Sequence, residues 1–255
     1  MEFVFIPEGE FLMGSSFSQV EACIAYWGSR LVDPSYREED FRSWILKEVP
    51  QHSEYARAFD IGRFPVTNEE YERFARATRH PLPKSLCRSE PPDHPVWGVS
   101  YDDAQSFAGW FGGEIGRSCR LPTEGEWEYA ARGRLPREYP FGELFDPACC
   151  NTIHSGIGRT TPVHRYANGV SEFGVYDLAG NVEEWTADYY APYTGGTFVH
   201  DDLSRQLGKR YRVLRGGSFA RGGDLARCAR RHGPLPAPEF CYIGFRLVAT
   251  SSEGR

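Results

Sequence analysis

The 255-residue sequence has no apolar run long enough to cross a bilayer, no C-x-x-C pair among its seven cysteines, and only two methionines. Without an apolar span of about 20 residues, a transmembrane helix is excluded. The opening Phe3-Val4-Phe5-Ile6 runs straight into Pro7-Glu8, too short for a signal-peptide core. The default expectation is therefore the cytoplasm with no membrane insertion, and display at a surface would need another route. Cysteines 23, 87, 119, 149, 150, 228 and 241 form no paired zinc knuckles and read as reduced thiols packed like small apolar residues. The histidines (52, 80, 94, 154, 164, 200 and 232) show neither H-x-x-x-H nor H-E-x-x-H spacing, so no helix face offers two imidazoles to a metal. They read as hydrogen-bonded turn residues. A G-x-S-x-G elbow and a phosphate-binding glycine loop are missing too, which removes the usual support for nucleophilic hydrolysis and nucleotide binding.

What is present suffices for a sizeable core, with 40% hydrophobic and 15% aromatic residues. The 27 glycines and 18 prolines are spread along the chain, so turns punctuate it throughout and residues 1–255 read as one loop-rich domain. A net charge of -6 gives no case for nucleic acid as a partner. Arg205 to Arg231 nevertheless carries nine basic residues against the single acid Asp224. Interleaved with glycine and apolar residues, these cations read better as ties from loops to carbonyls and carboxylates than as a binding face.

Phe3 to Ile6 and Glu10 to Met13, separated by Pro7-Glu8-Gly9, read as a hairpin. Residues 17–50 have the look of an insertion. Within it Glu38 to Val49 places acids first and Phe41, Trp44, Ile45 and Val49 at helical spacing before Pro50, as a surface helix would. Three core helices are marked by capping boxes: Thr67 with Glu70, Ser100 with Asp103, and Thr123 with Glu126. Their apolar faces carry Tyr71, Phe74 and Ala75; then Ala104, Phe107, Ala108 and Phe111; then Trp127, Tyr129, Ala130 and Ala131. Beyond Gly133 the helical period disappears, and short β-branched and aromatic runs lead to a last strand at Tyr242 to Ala249.

Seven ordered motifs carry a family resemblance. They are Phe5-Ile6-Pro7-x-Gly9-x-Phe11-x-Met13-Gly14, Pro65-Val66-Thr67-Asn68-x-x-Tyr71-x-x-Phe74, His94-Pro95-Val96, Arg120-Leu121-Pro122-Thr123-Glu124-x-Glu126-Trp127, Gly174-Val175-Tyr176-Asp177-x-x-Gly180-Asn181-Val182-x-Glu184-Trp185, Arg215-Gly216-Gly217-Ser218-Phe219 and Gly244-Phe245-Arg246. The chain resembles the formylglycine-generating-enzyme (sulfatase-modifying factor) family over nearly its whole length. The resemblance implies an α+β, C-type-lectin-like fold, loop-rich with short antiparallel strands and a few helices. Fold alone does not supply an activity.

Two acids seven apart around a glycine turn, Asp177 and Glu184, could converge on a hard cation that prefers oxygen ligands. The family's calcium loop, carried over by position, implies the side chains of Asp177 and Glu184 and the carbonyls of Gly180 and Val182 as Ca2+ ligands. The plainer alternative has both acids capping turns beside Trp185. A second family calcium loop would begin at Asn151-Thr152, but its closing segment is shortened before Thr161-Pro162-Val163.

The catalytic members of the family carry two reactive cysteines, holding copper, between the Arg-Gly-Gly-Ser motif and a later Arg-Cys-Ala-x-Arg. Here that interval is Ala220-Arg221-Gly222-Gly223-Asp224-Leu225-Ala226, shorter and without cysteine. No copper is expected, and Cys228 falls on the frame cysteine outside the reactive pair, with a structural role; a new pair with Cys241 is the alternative. From Ala220 to Tyr242 the chain uses Ala, Arg, Gly, Asp, Leu, Cys, His, Pro, Phe and Tyr, with one Glu and no Lys. Adenine-directed mutagenesis of asparagine codons, as in variable proteins of diversity-generating retroelements, yields every one of these except Glu. The expectation is a non-catalytic protein that presents Arg221, Asp224, Leu225, Arg230, His232, Leu235, Glu239, Phe240 and Tyr242 to an unknown protein or other macromolecular ligand. Arg227, Ala229, Arg231, Pro236 and Gly244 to Arg246 would form its constant frame. The rival expectation is a metal-dependent oxidase or oxygenase of the same family that acts without the cysteine pair.

Overall fold

The structure, a computed structural model, describes residues 1–31, 37–235 and 241–250. In chain order the elements are β1 (Phe3–Ile6), β2 (Gly9–Met13), α1 (Phe17–Trp27), α2 (Glu38–Ile45), β3 (His52–Ala56), β4 (Phe59–Gly62), α3 (Asn68–Thr78), α4 (Lys84–Cys87) and α5 (Tyr101–Ile115). There follow β5 (Cys119–Arg120), α6 (Glu124–Arg132), β6 (Glu183–Tyr189), α7 (Asp202–Leu207), β7 (Arg212–Arg215), β8 (Ile243–Gly244) and β9 (Val248–Ala249). The strands make three small sheets ordered β1-β4-β9-β5, β2-β3 and β7-β6-β8. All pairings are antiparallel except β6 with β8. No described helix is long and apolar enough to cross a membrane.

The three expected capping boxes form. Thr67, Ser100 and Thr123 each accept from the backbone N–H three residues on, and the carboxylates of Glu70, Asp103 and Glu126 accept from the capping residue's own N–H in return. This local chemistry starts α3, α5 and α6, and their apolar faces then meet. Tyr71, Phe74 and Phe107 pack with Phe245 and Leu247 in one cluster, while Trp127, Tyr129 and Ala130 pack with Phe11, Phe59 and Cys228 in a second.

Two expected strand arrangements are corrected. β1 and β2 do not pair with each other: β1 lies against β4 and β2 against β3, because the insertion brings residues 52–62 back alongside both. The last strand is interrupted between β8 and β9, where the buried Arg246 turns inward and donates to the carbonyls of Gly62 and Tyr176.

The insertion departs most from expectation. α2 ends at Ile45, and the turn that follows buries Lys47 and Glu48 completely. Both charges are matched from far along the chain, Lys47 by Asp201 at 2.6 Å and Glu48 by Arg227 at 2.9 Å. The carbonyls of Trp44 and Lys47 also accept from Arg230 and Arg231. The segment is therefore a clasp on residues 227–231, and the helix surface is only its outer side.

Candidate ligand-binding site

The loop leading to the site begins at Arg215-Gly216-Gly217-Ser218, where Gly216 and Gly217 have φ of 89° and 69°. A β-carbon on Gly216 would lie 3.1 Å from the Trp127 ring, and one on Gly217 3.0 Å from the Leu225 backbone. The glycines thus serve a bend and a close approach, as a framework element requires. Short turns then fold the chain back on itself: Arg221 N–H donates to the Ser218 carbonyl, and Leu225 and Ala226 N–H to those of Gly222 and Gly223.

Three arginines beneath this loop are structural ties. Arg215 binds Glu128 at 2.7 Å and the Cys228 carbonyl at 2.7 Å. Arg231 forks onto Glu124 at 2.9 and 2.6 Å, and Arg227 onto Glu48. All these side chains are buried, so each cation offsets a carboxylate that would otherwise be stranded. Much of the basic stretch between 205 and 231 is therefore internal wiring.

The remaining charges of the loop gather on an acid that sequence reasoning overlooked. Glu183 opens β6, its side chain only 4% exposed, and its Oε1 stands 3.1 Å from His232 Nδ1 and 3.9 Å from Arg221 Nε. Arg230 Nε lies 4.0 Å from Asp224 Oδ2, both side chains buried. Tyr242 joins through its carbonyl, which accepts from Glu183 N–H at 3.0 Å, and its ring sits 4.4 Å from Phe219 and 5.0 Å from Trp97. Arg221, Asp224, Arg230, His232 and Tyr242 are thus brought together. Leu225 is half-buried beside Gly217, and Leu235 belongs to a separate apolar cluster with Tyr190, Leu203 and Tyr211. Glu239 and Phe240 lie outside the described residues. The site is a buried cluster more than a displayed surface, since Asp224 and Arg230 turn inward.

The cluster is incompletely satisfied. Glu183 Oε1, His232 Nδ1 and Arg230 Nε are buried without an aligned hydrogen bond among the described residues. The Glu183–His232 contact is close at 3.1 Å without being an aligned hydrogen bond. Buried polar atoms in this condition are uncommon and costly. Burial opposes ionisation of Glu183, but His232, Arg221 and Arg230 outweigh it and hold the carboxyl below its usual range. Burial also pushes His232 down, against the pull of Glu183.

A pH dependence follows. Burial lowers His94 as well as His232, so the unfolded chain takes up protons at higher pH than the folded one. Stability contributed by the neutral imidazoles is present above the ordinary histidine value of about 6.5 and is lost as pH falls below it. A further loss comes lower, as Glu183 and Glu124, both held below the usual carboxylate range against the cost of burial, are protonated. Asp177, whose carboxyl burial pushes up to about 7, is protonated first in the folded chain and works in the opposite sense, so the test is a difference: the urea midpoint lost on acidification should be smaller in His232→Asn than in the unaltered chain. An identical pH dependence in the two would contradict the assignment.

The glycine turn of Asp177 to Glu184 is tightly tied. Asn181 Nδ2 donates to Asp177 Oδ2 at 2.8 Å and to the Thr161 carbonyl at 3.0 Å, and burial pushes the Asp177 carboxyl up to about 7. Both oxygens of Glu184 take the Arg246 guanidinium at 2.6 Å, and Oε2 also accepts from Trp127 Nε1 at 2.9 Å. As arranged, the two acids do not fit the expected Ca2+ shell with the Gly180 and Val182 carbonyls, because Arg246 already supplies the positive charge at Glu184. Among the described residues no three His, Cys, Asp or Glu side chains cluster as metal ligands. Cys228 is fully buried, with burial pushing its thiol up to about 12, and all seven cysteines are free thiols.

Residues 1–251 match the family described as sulfatase-modifying factor enzyme 1-like domain. Among curated proteins, the serine/threonine-protein kinase Pkn1 of Chlamydia trachomatis is 32% identical over 97% of this chain and 38% of its own length. The hercynine oxygenase of Mycolicibacterium thermoresistibile is 31% identical over 87% of this chain and 56% of its own, so the chain spans little more than a third of the first relative and just over half of the second. The inactive C-alpha-formylglycine-generating enzyme 2 of Mus musculus is 30% identical over 82% of this chain and 80% of its own. Among solved structures, PvdO from Pseudomonas aeruginosa shares 25% identity with a TM-score of 0.67, over 98% of this chain and 94% of that one. Treponema denticola variable protein 1 shares the fold at 20% identity and a TM-score of 0.69, over 98% and 95%.

Proposed function

The chain belongs to the sulfatase-modifying factor enzyme 1-like family, and from that premise we propose that it is a member without formylglycine chemistry that binds a protein or other macromolecule at the cluster over Glu183. The observation that carries this reading is the trio of buried, unsatisfied atoms, Glu183 Oε1, His232 Nδ1 and Arg230 Nε. They lie beneath a rim of partly exposed Arg221, Leu225, His232 and Tyr242. A ligand group with both donor and acceptor character would complete their hydrogen bonds, and the rim aromatic offers a stacking face.

The residue repertoire of 220–242 extends the proposal to a variable surface diversified by a retroelement. Its support is the division of labour within the loop. Arg227 and Arg231 are buried in ion pairs, Ala229 is buried, and a β-carbon on Gly244 would lie 2.4 Å from the Val96 carbonyl oxygen. These positions tolerate no change, whereas 221, 225, 235 and 242 face outward enough to vary.

Two measurements bear on the reading. Purified protein should contain no stoichiometric copper or iron and should consume no oxygen with a cysteine-containing peptide; metal at one equivalent with oxygen uptake would replace the proposal with the oxygenase reading. Copies of the gene compared across related strains should differ most at the codons for the partly exposed 221, 225, 235 and 242 while sparing 227, 229 and 231. Uniform drift across both sets would remove the variable-surface part.

A further inference from the structure

The clasp and the loop carrying residues 138–145 line an open cavity of about 510 Å³ whose walls do not include Glu183. Its walls are aromatic and apolar: Trp27, Tyr139 and Phe145 inside, with Tyr26 and Leu144 at its mouth, 46% and 82% exposed. The rings hold one another in place. Trp27 meets Phe145 edge-on at 5.1 Å and Tyr26 at 5.0 Å, and its Nε1 donates to the Tyr139 hydroxyl at 3.0 Å. The volume lies in the range of small-molecule sites, and preset aromatic walls suit a flat ring.

Charge narrows the class of ligand. Among the described residues the ionised side chains lining the cavity are Glu138 and Glu143, with no lysine or arginine. Cys23 also lines it, but burial pushes that thiol up to about 12, so it adds no charge. Arg227 offsets Glu138 from behind, whereas the exposed Glu143 forms no ion pair among the described residues. An organic cation entering here would meet aromatic faces and the Glu143 carboxylate; the nearby cations Arg227 and Arg30 are engaged with Glu138 and with the Tyr26 ring and carbonyl, so an anion finds no cation in the described lining.

We propose that this cavity is a binding site for a small aromatic amine, its ring packed against the wall that Trp27 and Phe145 form together and its ammonium group toward Glu143. The site stands apart from the Glu183 cluster and does not depend on what binds there. Its walls do touch the other site's loop: Ala226 packs with Tyr139 and Phe145, Arg227 binds Glu138, and a β-carbon on Gly223 would lie 2.5 Å from both Trp27 and Phe145.

Calorimetric titration of the full chain with 1-naphthylmethylamine, 1-naphthalenemethanol and 1-naphthoate tests the proposal. The amine should bind tightest and the carboxylate weakest. Glu143→Gln should weaken the amine about three- to five-fold, as an exposed ion pair warrants, and leave the alcohol unchanged. Ala22→Trp, on the exposed face of α1 lining the cavity, should weaken amine and alcohol alike by more than about ten-fold. Leu144→Lys, at a largely exposed position that folding does not need, should repel the amine selectively. Arg221→Ala should change none of these. Equal binding of all three probes, or amine binding that survives Ala22→Trp and Leu144→Lys, would overturn the proposal.

Discussion

Arg227→Ala should lower the free energy of unfolding by about 3–5 kcal/mol, the usual cost of removing one partner from a buried ion pair. Arg227 is fully buried and binds both oxygens of Glu48 at 2.9 Å, with Glu138 on its Nε and Ser15 Oγ at 3.4 Å. Truncation would leave the Glu48 carboxylate, itself fully buried, without a cation. Since a domain of ordinary stability has about 5–15 kcal/mol to lose, most of the margin would go. The same change frees the clasp from the loop it grips, so α1 and α2 should exchange amide hydrogens faster than α5 in the variant. Arg227→Met combined with Glu48→Gln should recover part of the loss, because it removes both charges together. Urea unfolding reads all of this, and a cost for Arg227→Ala below about 1 kcal/mol, the level of an exposed pair, would show that the contact is not buried in solution.

Gly180→Ala should cost about 2–4 kcal/mol, from a left-handed backbone combined with overpacking. Gly180 has φ of 86°, and a β-carbon there would lie 2.2 Å from the Asn151 carbonyl oxygen. That oxygen cannot easily move, because it accepts from Asn181 N–H at 2.8 Å, and Asn151 Nδ2 in turn donates to Asn181 Oδ1. The control is Gly113→Ala. Gly113 sits exposed within α5, and nothing lies within 4 Å of its added β-carbon. There alanine should stabilise by about 0.5–1 kcal/mol through helix propensity and a less flexible unfolded chain. Paired melting curves would show opposite shifts, and equal shifts would refute the packing argument.

The features legible in the sequence were those written over a few residues. A capping box needs only a hydroxyl and an acid three apart, so the starts of α3, α5 and α6 could be read directly, and the ordered motifs carried the fold with them. Features decided across the chain were not legible. Nothing near Lys47 or Glu48 announces Asp201 or Arg227, so two charges on a helical pattern looked solvated. β1 and β2 looked like partners because their true partners, β4 and β3, arrive only beyond the insertion, at residues 59–62 and 52–56. Glu183 was passed over in the variable position between Val182 and Glu184. Its role exists only once Arg221 and His232 fold onto it, and the doubled acid Glu183-Glu184 beside Trp185 was the one available sign. The inward turn of Asp224 and Arg230 was likewise set by the clasp and by Glu183.

The clasp also dictates an order of assembly. Its ties to the loop span 179 residues from Glu48 to Arg227 and 186 from Trp44 to Arg230, and Arg231 reaches back 107 to Glu124. During synthesis the acids emerge first, and their cations come only near the end. Until then the interior positions of Glu48 and Glu124 have no countercharge, and closing such long loops is slow. A growing chain therefore cannot lock its body early and add the cluster afterwards. The binding surface and the fold complete together, so a stalled or truncated product should go to the proteases before it can act as a half-formed decoy.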